Sequence, residues 1–240
     1  MLRYVFAPVH PPFARSLGLP RTLADLPPTA VGIDAANQPA SATMGTPANS
    51  PGVAITFDDG PHPEGTPAML EILARYDAVA TFFVIGEQVG KRPELLRRMQ
   101  EQGHAIALHG YHHRLHLRRG RAELEDDFTR GAAAIEDAVG ASPQYHRPPF
   151  GIYSPASLQI ARDRGLQPLL WATWGKDWRK FTTPERIAGR AVGGIQAADV
   201  ILLHDADFYS ANRSHERTAK ALELVLARLE SAGLGTFLCG

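Results

Sequence analysis

The sequence predicts an α/β fold in which a mostly parallel sheet closes, or nearly closes, into a barrel. After Val53, short apolar runs alternate with helix-like segments in a repeating β-then-α order. Glycines follow several of the predicted helices, and prolines stand at two predicted first turns. With 240 residues, 44% of them hydrophobic, the chain is long enough to form one domain with a substantial core.

Seven segments are predicted to be strands because they are short, apolar or β-branched, and bounded by turn residues. They are residues 53–57, 80–85, 104–108, 144–147, 168–171, 200–203 and 236–238. Six segments between them are predicted to be helices: 66–76, 93–102, 121–139, 154–164, 184–192 and 216–232. In a barrel built from such β-then-α units, functional side chains belong at the carboxyl ends of the strands.

Residues 1–52 differ in composition and are predicted to be a Pro- and Ala-rich N-terminal extension to a domain of residues 53–240. Residues 7–52 hold many of the chain's 19 prolines, so this part either wraps the domain irregularly or is partly disordered. The beginning of the chain has no apolar stretch of the secretory type. The sequence therefore favours a cytoplasmic location and leaves export open.

Charge and cysteine content exclude several classes of protein. Lys plus Arg and Asp plus Glu are equal at 25 each, which argues against a nucleic-acid or membrane-surface partner. No apolar run approaches the length of a membrane span. Cys239 is the single cysteine, so a disulfide framework is excluded.

Two adjacent carboxylates, Asp58 and Asp59, stand where the first predicted strand meets the Gly60-Pro61 turn. Each disfavours the ionised form of the other unless a metal, a proton or an Arg lies nearby. At a strand-to-loop junction both can reach one centre, so that one binds a metal while the other stays free as a base. Taken alone, the pair fits an Asp-Gly turn equally well.

Histidines cluster after the third predicted strand: four of the ten in the chain lie within residues 109–116. His109 and His113 are four apart, which predicts two imidazoles on one side of a helical turn, a spacing that suits a divalent transition metal. Two neutral imidazoles and one carboxylate form a facial set of ligands with open positions. A solvated polar loop is the alternative. His112 and His116 do not share the spacing and are predicted to lie outside the ligand set, as supporting or surface residues.

Three further strand ends carry functional side chains. Arg147-Pro148-Pro149-Phe150-Gly151 forms a stiff turn, in which Arg147 can hold a carboxylate bidentately and the amide of Phe150 can serve an oxyanion. Trp171, Trp174 and Trp178 can stack on a sugar ring or pack at the rim of the core. His204 ends a buried run and can act as a general acid, or as a hydrogen-bonded histidine at the edge of the core.

Together these motifs, in this order, resemble the polysaccharide deacetylase (NodB-like) family of metal-dependent carbohydrate deacetylases. The resemblance covers residues 53–238, and the motifs that carry it are 56–60, His109 with His113, 147–151, Asp177-Trp178 and 202–204. It implies a distorted (β/α) barrel that removes acyl groups, usually acetyl, from N-acetylated and sometimes O-acetylated sugars with one divalent metal, often zinc.

The resemblance also implies a role for each matched position. Asp59, His109 and His113 would be metal ligands, Asp58 the general base, Arg147 its partner and His204 the general acid. The turn at Pro149 and Phe150 would hold the oxyanion, and Trp178 and Leu202 would line the acyl pocket. Three positions depart from the family pattern: Gly110 replaces Ser or Thr, Phe150 replaces Tyr, and Trp174 replaces an Asp that pairs with the acid histidine in many relatives.

Two other functions are compatible with the sequence. One is an amidase for a small linear or cyclic amide on the same scaffold. The other is a catalytically silent barrel that binds carbohydrate or stores metal, although such a protein would not require both acid–base candidates. The identity of the glycan and the oligomeric state are not predicted.

Overall fold

The computed structural model of the protein describes residues 5–6, 19–25 and 51–239. Its strands are β1 (Val5–Phe6), β2 (Gly52–Asp58), β3 (Ala80–Val84), β4 (Ala105–Leu108), β5 (Tyr145–His146), β6 (Ile152–Tyr153), β7 (Gln167–Pro168), β8 (Thr173–Trp174), β9 (Val200–His204) and β10 (Gly235–Thr236). Its α-helices are α1 (Gly65–Arg75), α2 (Gly86–Val89), α3 (Pro93–Glu101), α4 (Arg121–Val139), α5 (Pro155–Asp163), α6 (Pro184–Ala191) and α7 (Ser214–Ser231). Short 3-10 turns lie at Leu23–Asp25, His116–Arg118 and Pro149–Gly151.

The main sheet is parallel and curls into a half-barrel. Its strand order is β7-β5-β4-β3-β2-β9-β8, and β10 pairs with β2 off this path. Among the described residues, every strand pairing of this sheet is parallel, as expected where helices connect successive strands. The prediction of an α/β fold with a mostly parallel, barrel-like sheet is confirmed.

Strand β2 is central to both the core and the site. All seven of its residues are buried, and most of them are apolar up to Asp58, as is typical of a strand covered on both faces. It lies between β3 and β9, and Asp58 is in register with His204 of β9. The carboxyl ends of β2 and β9 therefore present their polar residues at the same edge of the sheet.

Helix ends follow the predicted signals. Gly103, Gly140, Gly165 and Gly233 all have φ between 68° and 78°, the left-handed conformation that Gly adopts at low cost. Pro93 and Pro184 begin α3 and α6. Helix α4 has the bounds that the sequence predicts, and other helix boundaries shift by one or two residues. The four-residue helix α2 was not predicted.

The predicted strand 168–171 is wrong. The structure forms two shorter strands instead, β7 and β8, because the backbone between them bonds elsewhere. The carbonyl oxygens of Leu169 and Leu170 accept hydrogen bonds from Arg147, at 3.0 and 2.9 Å. The N–H of Leu170 donates to the carbonyl of Pro20 at 2.9 Å.

Part of the predicted N-terminal extension packs against this region. Leu19 is buried, and Arg21 donates from Nε to the carbonyl of Trp171 at 3.0 Å. The remainder of the prediction for residues 7–52, at 7–18 and 26–50, lies outside the described residues. Within the described part of the chain, no helix combines the length and apolar character needed to cross a membrane.

Candidate active site

The predicted site residues lie together at the carboxyl edge of the sheet. Asp58 ends β2 and Asp59 follows it, while His204 ends β9. His109 follows β4, and Arg147 follows β5. In the sheet β2 and β9 are neighbours, β4 and β5 are neighbours, and β3 separates the two pairs. Because the strands are parallel and the sheet curls, their carboxyl ends bring distant parts of the chain to one place.

Asp59, His109 and His113 converge around one point. Asp59 Oδ1 lies 3.3 Å from His113 Nε2 and 3.6 Å from His109 Nε2. One potential ligand atom from each residue lies within 4.8 Å of the others. Two imidazole nitrogens and one carboxylate oxygen are a common ligand set for a divalent transition metal.

The environment of His109 prepares it to bind a cation. Its Nδ1 lies 2.8 Å from the carbonyl oxygen of Arg147. A carbonyl only accepts hydrogen bonds, so Nδ1 carries the hydrogen and the lone pair of Nε2 is directed towards Asp59. Burial lowers the pKa of His109 well below its usual value and that of His113 to about 3, so both rings are neutral at neutral pH.

The carboxylate of Asp59 indicates whether these three residues suit a metal ion. Its Oδ1 is buried and has no hydrogen-bond partner among the residues that the structure describes, which is costly for a carboxylate oxygen. The pKa of Asp59 is raised to about 7. Burial is the main cause, and the charge of the neighbouring Asp58 carboxylate adds to it, while the charge of His204 opposes the rise. A cation held between Asp59 and the two neutral imidazoles would satisfy this oxygen, so the residues present fit a divalent metal.

The loop that carries the two histidines is not the helical turn that their spacing predicted. Gly110 has φ +98°, and the N–H groups of Tyr111 and His112 donate to Asp127 of α4 at 2.9 and 3.0 Å. This bend brings the rings of His109 and His113 to 5.5 Å between centroids. It also accounts for glycine at position 110, where an added Cβ would lie 2.9 Å from Asp127 Oδ2 and the positive φ would be strained.

A second group of potential metal ligands does not suit a metal ion. It consists of His62, Asp207 and His215. His62 Nδ1 accepts the N–H of Gly65 at 2.9 Å, so a neutral ring carries its hydrogen on Nε2. That Nε2 lies 3.2 Å from Asp207 Oδ1, as a donor to the carboxylate. His62 therefore caps the start of α1 and has no lone pair on Nε2 for a cation.

Asp58 is held by Arg147, although by one hydrogen bond and not by the predicted bidentate pair. Arg147 is fully buried and donates from Nη1 to Asp58 Oδ1 at 2.7 Å. Its Nε and Nη2 are committed to the carbonyls of Leu169 and Leu170. Burial raises the pKa of Asp58, and the charge of Arg147 opposes that rise.

His204 has a carboxylate partner that the sequence reasoning missed. Asp177, fully buried, places Oδ1 2.9 Å from His204 Nδ1. Burial lowers the pKa of His204, but the charge and hydrogen bond of Asp177, with the charges of Asp59 and Asp58, outweigh it and raise the pKa to about 10. Asp177 belongs to the Asp177-Trp178 motif and follows β8, the parallel neighbour of β9, but the sequence did not predict β8 or its pairing with β9. Asp177 therefore provides the carboxylate partner of His204, although position 174 holds Trp where many relatives have Asp.

The remaining predicted residues surround this centre. Phe150 has φ +63°, is 57% exposed, and its ring centroid lies 4.5 Å from that of His113. Pro149, before it in the turn, is buried. Trp178 packs edge-on against His204 at 5.4 Å, and Leu202 is buried two residues before His204 on the same face of β9.

The half-barrel places two histidines and one carboxylate together, between a buried Asp–Arg pair and a His–Asp pair. Such a group of side chains is typical of a hydrolase. The family model described as polysaccharide deacetylase matches residues 45–169. The chain therefore belongs to the polysaccharide deacetylase family. Its curated relatives are named as deacetylases, which are hydrolases of carbon–nitrogen bonds other than peptide bonds.

Individual relatives agree with this assignment. A peptidoglycan-N-acetylglucosamine deacetylase of Bacillus cereus is 35% identical over 80% of this chain and 87% of its own length. A chitooligosaccharide deacetylase of Bradyrhizobium sp. (strain ANU 289) is 34% identical over 75% of this chain and 85% of its own. The crystal structure of the Bc1960 peptidoglycan N-acetylglucosamine deacetylase, in complex with an N-oxidanyl-benzamide, superposes with a TM-score of 0.73 at 27% identity over 80% of this chain and 87% of that one.

Proposed function

We propose that this protein is a metal-dependent deacetylase that hydrolyses the N-acetyl group of N-acetylated sugars in an oligo- or polysaccharide. The observation that carries the proposal is the buried Oδ1 of Asp59, which has no hydrogen-bond partner in the described part of the chain and lies between two neutral imidazoles. The names of the relatives, deacetylases of peptidoglycan N-acetylglucosamine and of chitooligosaccharides, support an N-acetylated glycan as substrate.

Asp59, His109 and His113 would hold the metal. Nitrogen ligands with one carboxylate favour zinc among the common divalent ions, and leave positions open for water and substrate. When bound, such an ion supplies Lewis acidity, which lowers the pKa of water and polarises an acyl carbonyl.

Asp58 is the proposed general base. Its Oδ1 is fixed by Arg147, so the carboxylate is held in one orientation beside the triad, with Oδ2 3.7 Å from His109 Nε2. Burial raises its pKa, which makes the carboxylate a better proton acceptor than an exposed Asp. Asp58 takes the proton of the water that attacks the acyl carbon.

His204 is the proposed general acid. With its pKa raised to about 10, the ring is protonated at neutral pH. It gives a proton to the sugar nitrogen as the carbon–nitrogen bond breaks, so that the products are acetate and a free amine. Without that proton the nitrogen would have to leave as an amide anion, which is a poor leaving group.

Phe150 and its neighbours would serve the acyl group. Its backbone N–H, in a turn where Pro148 and Pro149 have no N–H to donate, is the proposed donor to the oxyanion. Leu202 and Trp178 flank His204 and provide apolar surface for the acetyl methyl group.

The test combines metal analysis with acetate release. The purified protein should contain about one divalent metal per chain and release acetate from chito-oligosaccharides or peptidoglycan fragments. Acetylated xylan would test O-deacetylation, and small linear and cyclic amides would test the amidase alternative. Acetate release from none of the glycans, with turnover of a small amide, would contradict the proposal.

A further inference from the structure

Tyr209 lies flat against His113. Their ring centroids are 4.2 Å apart and the planes differ by 10°, which is a stacked arrangement. Tyr209 belongs to the loop between β9 and α7, far from His113 in sequence. Phe150 contacts the same imidazole at 4.5 Å, so the ring is packed between residues of two other loops.

The position of Tyr209 is fixed at its far end by α2. Its hydroxyl donates to Glu87 Oε1 at 2.7 Å and lies 3.4 Å from Gln88 Nε2. The second carboxylate oxygen of Glu87 lies 3.1 Å from Nδ1 of His112, the residue before His113. One carboxylate thus connects α2, the histidine loop and the loop after β9.

His109 and His113 are held in different ways. His109 is oriented by a hydrogen bond between its Nδ1 and the carbonyl of Arg147. The ring of His113 packs against Phe150 and Tyr209, and the stacked contact depends on the position of Tyr209. Groups that orient a metal-binding imidazole commonly change metal affinity 10- to 100-fold when they are removed.

We propose that Tyr209 and Glu87 form a positioning pair that sets the orientation of His113 and thereby the affinity of the site for a divalent metal. This inference rests on the proposed metal site and adds two residues to it. Tyr209 contacts the ring of His113, and Glu87 contacts the histidine loop through Tyr209 and His112, so the pair is expected to act on the reaction through the position of His113.

Cobalt(II) binding to the metal-free full-length protein tests the pair without reference to activity. Affinity is measured by competition with a chelator, and ligand geometry by the visible absorption of the bound ion. Tyr209→Ala should raise the Kd by about 10-fold and change the spectrum. Tyr209→Phe keeps the ring but loses the hydrogen bond to Glu87. Its Kd should be intermediate between those of wild type and Tyr209→Ala.

Phe208→Ala is the matched control. Phe208 is the adjacent residue with the same exposure, 37%, but its ring packs on His62 and Arg92. It meets Tyr209 only edge-on, at 6.3 Å between centroids, and leaves the stacked contact of Tyr209 with His113 in place. Its Kd and spectrum should equal those of wild type. Glu87→Gln, which weakens the hydrogen bond to Tyr209 without removing a ring, keeps the question answerable if Tyr209→Ala does not fold.

The outcomes separate the two proposals. Wild-type protein that binds no cobalt or zinc would contradict the metal site itself. Wild-type protein that binds cobalt, with Tyr209→Ala, Tyr209→Phe and Glu87→Gln all matching its Kd and spectrum, would overturn the positioning pair alone.

Discussion

The carboxylate of Asp177 holds His204 at two points. Oδ1 lies 2.9 Å from the ring Nδ1, and Oδ2 accepts the backbone N–H of His204 at 2.7 Å. Thr218 of α7 donates to Oδ2 at 2.9 Å, which fixes the carboxylate itself. A single buried Asp therefore sets the position, the tautomer and the charge of the proposed acid.

Asp177→Asn should remove the charge that keeps His204 protonated. Asp177 raises the pKa of His204, so its loss lowers that pKa and empties the acid form as pH rises. We expect the rate to fall at least ~10²-fold at neutral pH, the scale of general acid catalysis, with the basic limb of the kcat/KM profile moved to lower pH. Thr218→Val keeps the carboxylate and should move the limb much less. An unmoved limb in Asp177→Asn would assign the acid role elsewhere.

The sequence located the site through the ends of parallel strands, and this worked because the rule depends on topology rather than on distance along the chain. Asp58, His109, Arg147 and His204 each close a short buried run, and a parallel sheet brings such ends together. Asp177 was missed as a partner because nothing in its spacing of 27 residues from His204 indicates contact. Its position after β8 becomes informative only when β8 is known to pair with β9.

Two local predictions were wrong for reasons of tertiary contact. The spacing of His109 and His113 predicted a helical turn, but Gly110 and the carboxylate of Asp127 impose a bend. The strand predicted at 168–171 is divided because Arg147 donates hydrogen bonds to the carbonyl oxygens of Leu169 and Leu170. In both cases a charged side chain, the half-buried Asp127 or the buried Arg147, competes with regular backbone bonding, and propensity does not reveal that competition.

Arg147→Lys should destabilise the fold as well as the site. The guanidinium serves Asp58, Thr56 and two backbone carbonyls, and one ammonium group cannot reach them all. Lys keeps the positive charge, but each buried carbonyl that loses its hydrogen-bond donor costs about 1–3 kcal/mol of unfolding free energy, measurable by urea denaturation. Arg98→Lys, at an exposed 3.8 Å ion pair with Glu71, should change stability by less than about 1 kcal/mol. Equal stabilities of the two variants would show that the Arg147 network is dispensable.

Metal affinity should fall as the pH is lowered from 8 to 6. The pKa of Asp59 is raised to about 7 in the metal-free protein, so below that pH a proton occupies the carboxylate and competes with the metal. The Kd for zinc should therefore rise steadily over this interval. His109→Ala should bind no metal by elemental analysis, whereas Asp58→Asn should retain it. Zinc affinity independent of pH across this range would remove Asp59 from the ligand set.

His116→Leu should make the protein less sensitive to acid. His116 is 2% exposed and packs against Phe128 and His146, so it is a core residue and not a surface one. Within residues 5–6, 19–25 and 51–239, neither of its ring nitrogens has a hydrogen-bond partner. Burial lowers its pKa from 6.5 to about 4, and the unfolded chain therefore binds a proton first as pH falls. The stability that His116 contributes is fully present above pH 6.5 and is lost towards pH 4, a change of about 2 kcal/mol between pH 7 and 4.5. Urea denaturation at the two pH values should show this loss in wild type and a smaller loss in the variant. Identical losses in both proteins would mean that other groups account for the acid sensitivity.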